Sequence, residues 1–441
     1  MARRNTTSSP PPSRSAALAA LYSILRHGVA VQPALDKQLG AFCPDVRDKA
    51  LATELTYGYL RHKGRIDFIL HSFLAKPQKL PPLLCIAFGL ASYEQLFLDR
   101  VPEFATRSWL LHFIRKSWGS GLIRLANAYM TTLQDHLVHL HEEDFYRQDA
   151  CSVVTFWSRF YSLPSWIVSL WIRAYGEKRA HYLAQTQLLP AFLGLRINPM
   201  HYEADALLQG IGNRPELTTI GKWGIGCERN QARHVFSNLD NLYSQGCLSK
   251  QSLAAQQVMH FLQVDHLRGP IWDVCAGHGG KTCFLLERSS EPLRASDVHW
   301  LRLRGLRQEI QRLGLRNIPV ALARADHTLP WNEKPGCILL DAPCSGLGVL
   351  SRRPDIKWKR TLFDISSLQV LQRKMLDIAV SSLSPSGRLA YITCTLNPAE
   401  NEDQIDTLLR EQPGLRCLGR YSGADHPELR EFFWAALLEK K

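Results

Sequence analysis

From Pro270 onward the chain repeats one pattern: a short apolar run, then a glycine or an acid, with helical stretches between. The runs are IWDVCAG, LRASDV, PVALARAD, CILLDAP and GRLAYITCT, and helical segments follow CAGHGG and SDV. Runs this short, alternating with helices, pack as a mostly parallel sheet covered on both faces. Such sheets hold their ligands at the carboxyl ends of the strands. The pattern therefore predicts an α/β, Rossmann-like domain over 263–441, with its chemistry on the residues that end these runs.

The first turn, DVCAGHGGKT (273–282), is the most informative. Strand, glycine turn and helix together present free backbone N–H groups to a ligand. The candidate cradle is Cys275, Ala276, Gly277, His278, Gly279, Gly280 and Lys281. Asp297 ends the second run, Asp326 the third and Asp341 the fourth. An acid about 20 residues past the glycines reaches a ribose hydroxyl in dinucleotide folds. A whole row of carboxylates repels phosphate, so a nucleoside without phosphate fits better than NAD. S-adenosylmethionine, with ribose, adenine and a cationic sulfonium, is the expected cofactor. Cys275 and His278 have the spacing of paired zinc ligands. Their nearest possible partners, Cys283 in mid-helix and His299, do not complete a set, so no metal is expected.

The rest of the chain reads differently. From Ser15 to about Leu140 the pattern is helical, with Leu18, Leu21 and Leu25 on one face and a stop at Gly28. Two further helices break at WGSG (118–121). Residues 157–262 mix helix and strand: LPSWIVSLWIRAYG and LSKQSLAAQQVMHFL read as helices, FLGLRINPM as a strand. The expected architecture is a disordered tail (1–14), an all-α domain (15–145), a small α+β linker domain (157–262) and the α/β domain. A formal charge of +13 tilts toward a polyanionic partner. Eleven cysteines without any C-x-x-C suggest a reducing, cytoplasmic setting. No run approaches the length of a membrane span.

Two runs end in cysteines, Cys344 in DAPCSG and Cys394 in YITCTLNPAEN. Beside a methyl donor, this pairing suggests one reaction. Carbon 5 of cytosine is a poor nucleophile until a thiolate adds to carbon 6. Asp341, if burial keeps its proton, would engage ring N3.

DVCAGHGGKT, ASDVHWLRLRGL, DAPCSGLGVLSRRPDIKW and YITCTLNPAENE resemble motifs of the RNA cytosine-5 methyltransferases, and LRINP (195–199) resembles a basic stretch ahead of their catalytic domain. ELTYGYLR and LANAYMTTL resemble the NusB-like RNA-binding domain found in one subgroup. The resemblance implies an S-adenosylmethionine-dependent enzyme, with Cys394 as nucleophile and Cys344 assisting proton removal and release. Asp341 joins the catalytic set, and Cys275 to Lys281, Asp297, Asp326 and Asp341 line the cofactor site. Arg196, Arg352, Arg353 and Lys357 are the expected RNA contacts. The implied partner is 16S ribosomal RNA, bound by a monomer. A transfer RNA substrate is one alternative. The other is a weakly catalytic assembly factor, because the family's C-A-A-P-G-G-K has Gly277 and His278 at its third and fourth places. Two milder departures are Ser252 where Gln-Asp is usual and T-C-T for T-C-S.

Overall fold

In a computed structural model of the chain, residues 11–441 are described, apart from 213 and 237. The chain divides into two compact units. One runs to Leu188 and includes residues 353–359; the other comprises 189–352 and 360–441. The break falls inside the segment read as a linker domain. The tail over 1–10 lies outside the described residues.

The first unit is helical. Helices α1 (Pro12–His27), α2 (Val31–Phe42), α3 (Val46–Phe73), α4 (Pro82–Phe97), α5 (Glu103–Trp118) and α6 (Ile123–Asp135) come first, followed by shorter ones. Pro12 to Arg14, read as tail, are already helical. Proline at the first helical position costs no hydrogen bond, and Arg14 pairs with the buried Glu94 at 2.8 Å. Helix α1 ends where expected, on Gly28 at φ 66°, and α5 ends on Gly119 at φ 75°. Leu18, Leu21, Leu55 and Tyr59 are buried, so the apolar stripes face the core. The cluster RHKGR (61–65) turns partly inward. Arg65 is buried against Phe160, 3.8 Å from the ring, and donates to that residue's carbonyl at 2.6 Å.

The second unit holds two sheets. The smaller has the order β2–β3–β1–β4, from strands β1 (Leu193–Ile197), β2 (Thr218–Ile220), β3 (Gly224–Cys227) and β4 (Leu248–Lys250). Leu248–Lys250 was expected in a helix. It pairs with β1 instead, and the helix begins at Leu253 behind Ser252, whose hydroxyl accepts from the Ala255 N–H at 3.2 Å. Ser252 thus supplies the N-cap that an aspartate would supply.

The larger sheet comprises β5 (Ile271–Asp273), β6 (Leu293–Asp297), β7 (Val320–Leu322), β8 (Cys337–Asp341), β9 (Arg388–Thr393), β10 (Leu415–Ser422) and β11 (Trp434–Lys440). Its order is β10–β11–β9–β8–β5–β6–β7, parallel through the five expected strands and antiparallel at β10 and β11. Trp272, Ile338, Leu340, Tyr391 and Trp434 are buried in its core. Chain order reverses beside β5, the place where such sheets leave a ligand crevice.

Candidate active site

The glycine turn after β5 is held open by its own backbone. Gly277 has φ 57° and Gly279 φ 91°, and a Cβ on Gly279 would stand 2.4 Å from Leu306. Asp297, at the end of β6, clasps the turn: it accepts from the Gly277 N–H at 3.0 Å and from the His299 N–H at 2.8 Å. His278 is exposed and lies over Gly305, where a Cβ would be 2.6 Å from its ring. The Cys275 thiol is held well above its ordinary pKa by burial first, then by Asp273, Asp341 and Asp297. This thiol is therefore kept protonated, with three carboxylates close enough to act on it.

Asp326 does not end a strand. β7 stops at Leu322, and Asp326 sits in the following turn, gripped by Nε and Nη2 of Arg324 at 3.0 and 2.7 Å. That grip lowers its pKa. Asp273, which closes β5, is fully buried; one oxygen accepts from the Thr282 hydroxyl at 2.7 Å and the other has no partner. Burial raises its pKa to about 7.

Lys281 and Asp341 form an ion pair at 2.5 Å, with the ammonium 5.3 Å from the centre of the Phe433 ring. Burial opposes the charge on Lys281, but Asp341 and then Cys394 outweigh it and raise the lysine pKa. The expected role of Asp341 at ring N3 depends on burial around its carboxyl group. The structure corrects this: the Asp341 side chain is 32% exposed and committed to a cation.

The two cysteines meet. Parallel pairing sets Asp341 opposite Ile392, which brings the loops after β8 and β9 side by side. Cys344 Sγ lies 3.3 Å from Cys394 Sγ and accepts from the Cys394 N–H at 3.3 Å. The Cys344 thiol is pushed well above its ordinary pKa, by its hydrogen bond to Cys394 first, then by burial and the charges of Cys394 and Glu400. These causes together favour the protonated form of Cys344. Beneath them, the buried Glu400, Ser345 and Thr395 form a polar network that the sequence reading passed over.

Of the expected RNA contacts, two are corrected. Arg196 is 1% exposed and forks onto Glu287 at 2.8 and 2.7 Å. Lys357 is also 1% exposed; it belongs to the helical unit and donates to the Arg61 carbonyl and to Gln187 at 2.9 and 3.1 Å. Burial removes both from a polyanion. Arg352 is half-exposed and paired with the buried Glu431, while Arg353 is exposed.

Cys275 and His278 form no metal cluster. Among the described residues the group close enough to share an ion is His201, Glu203 and Cys247. Its hydrogen bonds close on themselves. The Glu203 N–H donates to His201 Nδ1 at 3.2 Å, which leaves the proton on Nε2, facing Cys247 Sγ at 3.6 Å. Cys247 in turn donates to the Glu203 carboxylate at 3.6 Å. A ligating Nε2 would need a bare lone pair, so the group reads as a satisfied polar cluster.

The comparisons with known proteins agree with this layout. A model described as 16S rRNA methyltransferase RsmB/F matches residues 261–425, and the NusB family model matches 11–135. The structure of PH0851 superposes with a TM-score of 0.72 over 98% of this chain and 100% of that one, at 21% identity. NSun6 from Pyrococcus horikoshii, solved with SFG, gives 0.52 over 63% of this chain and 98% of its own, at 19% identity. Fold and site together define an S-adenosylmethionine-dependent RNA methyltransferase with a NusB-like helical domain. Among relatives, ribosomal RNA small subunit methyltransferase B of Vibrio cholerae is 32% identical over 414 residues, covering 92% of this chain and 91% of that protein. The Vibrio vulnificus protein of the same name is 31% identical over 409 residues, 92% of each chain. The chain belongs to the ribosomal RNA small subunit methyltransferase B family. Among the described residues no helix is long and apolar enough to cross a membrane.

Proposed function

We propose that the protein methylates carbon 5 of a cytosine in 16S ribosomal RNA, through a covalent bond from Cys394 to ring carbon 6. The observation that carries this reading is the pair of thiols 3.3 Å apart, with Lys281, paired to Asp341, close enough to Cys394 for their charges to interact. The 16S target is that of the 16S rRNA methyltransferase RsmB/F family, whose model matches residues 261–425.

The cradle fits the cofactor by the chemistry of its donors. Left-handed glycines at 277 and 279 let backbone approach a ligand, Asp297 and Asp341 end β6 and β8 on either side of β5, and the buried Asp273, which ends β5, has an unpartnered oxygen. Cys275 to Lys281, Asp297, Asp326 and Asp341 would hold S-adenosylmethionine, which supplies an electrophilic methyl group when bound.

The protein's own groups divide the remaining work. As nucleophile, Cys394 acts as a thiolate, and the Lys281 ammonium is near enough for the two charges to interact. The thiolate adds to carbon 6 and makes carbon 5 nucleophilic. Asp341 offers an acceptor for the 4-amino group, and Lys281 a donor for N3. Cys344 keeps its proton while Cys394 is free. Once Cys394 is a thioether, its charge and its hydrogen bond no longer hold the Cys344 proton, and burial and Glu400 alone remain to do so. That proton leaves to solvent, and the Cys344 thiolate takes the carbon-5 proton. The carbon–sulfur bond breaks, the ring double bond reforms and Cys394 is again a thiolate, with one proton released per methyl transferred. Exposed Arg353 and the half-exposed Arg352, the latter already ion-paired with Glu431, would lie beside RNA phosphates.

Cys344→Ala should trap the protein covalently on RNA, and Cys394→Ala should abolish both trapping and methylation. Bisulfite sequencing of ribosomal and transfer RNA, with and without the gene, identifies the substrate. A Cys394→Ala protein that still crosslinks and methylates refutes the nucleophile assignment, and a lost mark confined to transfer RNA refutes the 16S reading.

A further inference from the structure

Glu400 lies under the two cysteine loops, wholly buried and surrounded by neutral donors. One carboxylate oxygen accepts from the Ser345 N–H at 2.8 Å and from Gln372 Nε2 at 3.0 Å. The other accepts from the Ser345 hydroxyl at 2.5 Å and from Asn397 Nδ2 at 3.0 Å. Ser345 follows Cys344 directly, and Asn397 stands three residues past Cys394. The Ser345 hydroxyl also shares a 2.6 Å hydrogen bond with the hydroxyl of Thr395, the residue after Cys394. Gln372 holds the other flank, donating to the Pro343 carbonyl at 2.9 Å. A carboxylate taken this far from water is costly unless its lone pairs are filled. Here the filling comes from donors on both loops, so moving either loop would strip a buried charge of its partners.

We infer that Glu400 is a positioning residue that clamps the Cys344 loop to the Cys394 loop and sets the distance between the two thiols. The inference rests on the reading of these cysteines as nucleophile and base. Its charge has a second effect, because it is among the causes that keep the Cys344 proton in place before the adduct forms. Glu400 touches neither thiol by hydrogen bond, so it acts through Ser345 and through its field.

Glu400→Gln keeps the shape but turns one acceptor into an amide donor facing the Ser345 and Asn397 donors. A misplacement of order 1 Å at a reacting group costs about 100-fold in rate. The expected result is a fall in kcat of about that size with KM for RNA and cofactor within about twofold. Covalent protein–RNA adduct should accumulate, and the pH profile of its release should move to lower pH as Cys344 loses its negative neighbour. Ser345→Ala, which keeps the backbone contact to Glu400, is the milder variant and should move kcat in the same direction. Phenylarsine oxide, which bridges only close thiol pairs, reads the geometry without catalysis: wild type should bind it, and Cys344→Ala, Cys394→Ala and Glu400→Gln should bind it at least about tenfold more weakly, in line with a lost bridging contact. Wild-type arsenical affinity and kcat in folded Glu400→Gln, or in Ser345→Ala should the first variant not fold, overturn the clamp. A raised KM with unchanged kcat overturns it too. If Cys394→Ala stays active while the arsenical data hold, the clamp stands and the catalytic reading falls.

Discussion

Replacing Arg196 with alanine separates two roles that the sequence alone does not distinguish. In the fold this arginine, on β1, places both forks of its guanidinium on Glu287, where the two side chains are 1% and 0% exposed. It also donates to the Gly280 carbonyl at 3.1 Å and to Gln251, which ties β1 to the helix after the glycine turn. Removing one partner of a buried ion pair costs about 3–5 kcal/mol, because the other charge stays buried and uncompensated. Arg288 still lies 3.4 Å from Glu287, so the loss should sit near the lower end, at about 3 kcal/mol. For a unit of this size that is a fall in Tm of about 6–12 °C. Arg196→Lys keeps the charge but loses the fork, and should fall between alanine and wild type. Thermal unfolding followed by tryptophan fluorescence measures this, and RNA binding at several salt concentrations provides the control. A phosphate contact would lower the salt slope by about one when removed; a structural arginine leaves the slope unchanged. A Tm within about 1 °C of wild type (well under the shift expected for 1 kcal/mol), with a reduced salt slope, would refute the structural role and restore the RNA contact.

Two buried ionisable groups make stability depend on pH in opposite senses. Burial raises Asp273 from the ordinary 3.8 to about 7, so its contribution is fully present below about 4 and is lost as pH rises through about 7. Asp273→Asn should flatten that fall, which is of order 4 kcal/mol at most, in unfolding curves collected across the window. Lys357 is the reverse: burial, helped by the charge of Arg61, pushes its amine well below the ordinary 10.5. The native state then holds fewer protons than the unfolded chain between the depressed and ordinary values, so stability rises with pH through that window. Lys357→Met should remove this rise, and Tm followed from neutral to alkaline pH checks it; an unchanged slope would mean that the amine is already paired with a charge.

The catalytic sheet was legible because its strands are short apolar runs with polar ends, a pattern set locally. Asp297 and Asp341 could be placed from spacing alone, whereas Asp326 slid off its strand because β7 ends four residues earlier. The two antiparallel strands were missed for different reasons. WAALLEK is built from helix-favouring residues and becomes β11 only because β9 and β10 pair with it on both sides. LRCLGRYS alternates buried and exposed positions as an edge strand should, but its glycine and arginines mask the apolar face. Arg196 and Lys357 misled because their partners, Glu287 and Gln187, are 91 and 170 residues away. A charge reads as solvated until its distant partner is known.

The same reasoning bears on the altered first motif. A left-handed φ of 57° at position 277 is one that an alanine would adopt only under strain, so the glycine here relieves the turn. Histidine at 278 gives up the fixed φ of a proline. Two contacts act in its place: Asp297 clasps the Gly277 N–H and the His278 ring closes over Gly305. Both lie on β6 or the helix that follows it, so the stiffness a proline supplies within the turn comes here from the neighbouring strand–helix unit. The loop is held in its ligand-facing shape by tertiary contacts, which is why its departure from the family pattern is compatible with a working cofactor seat.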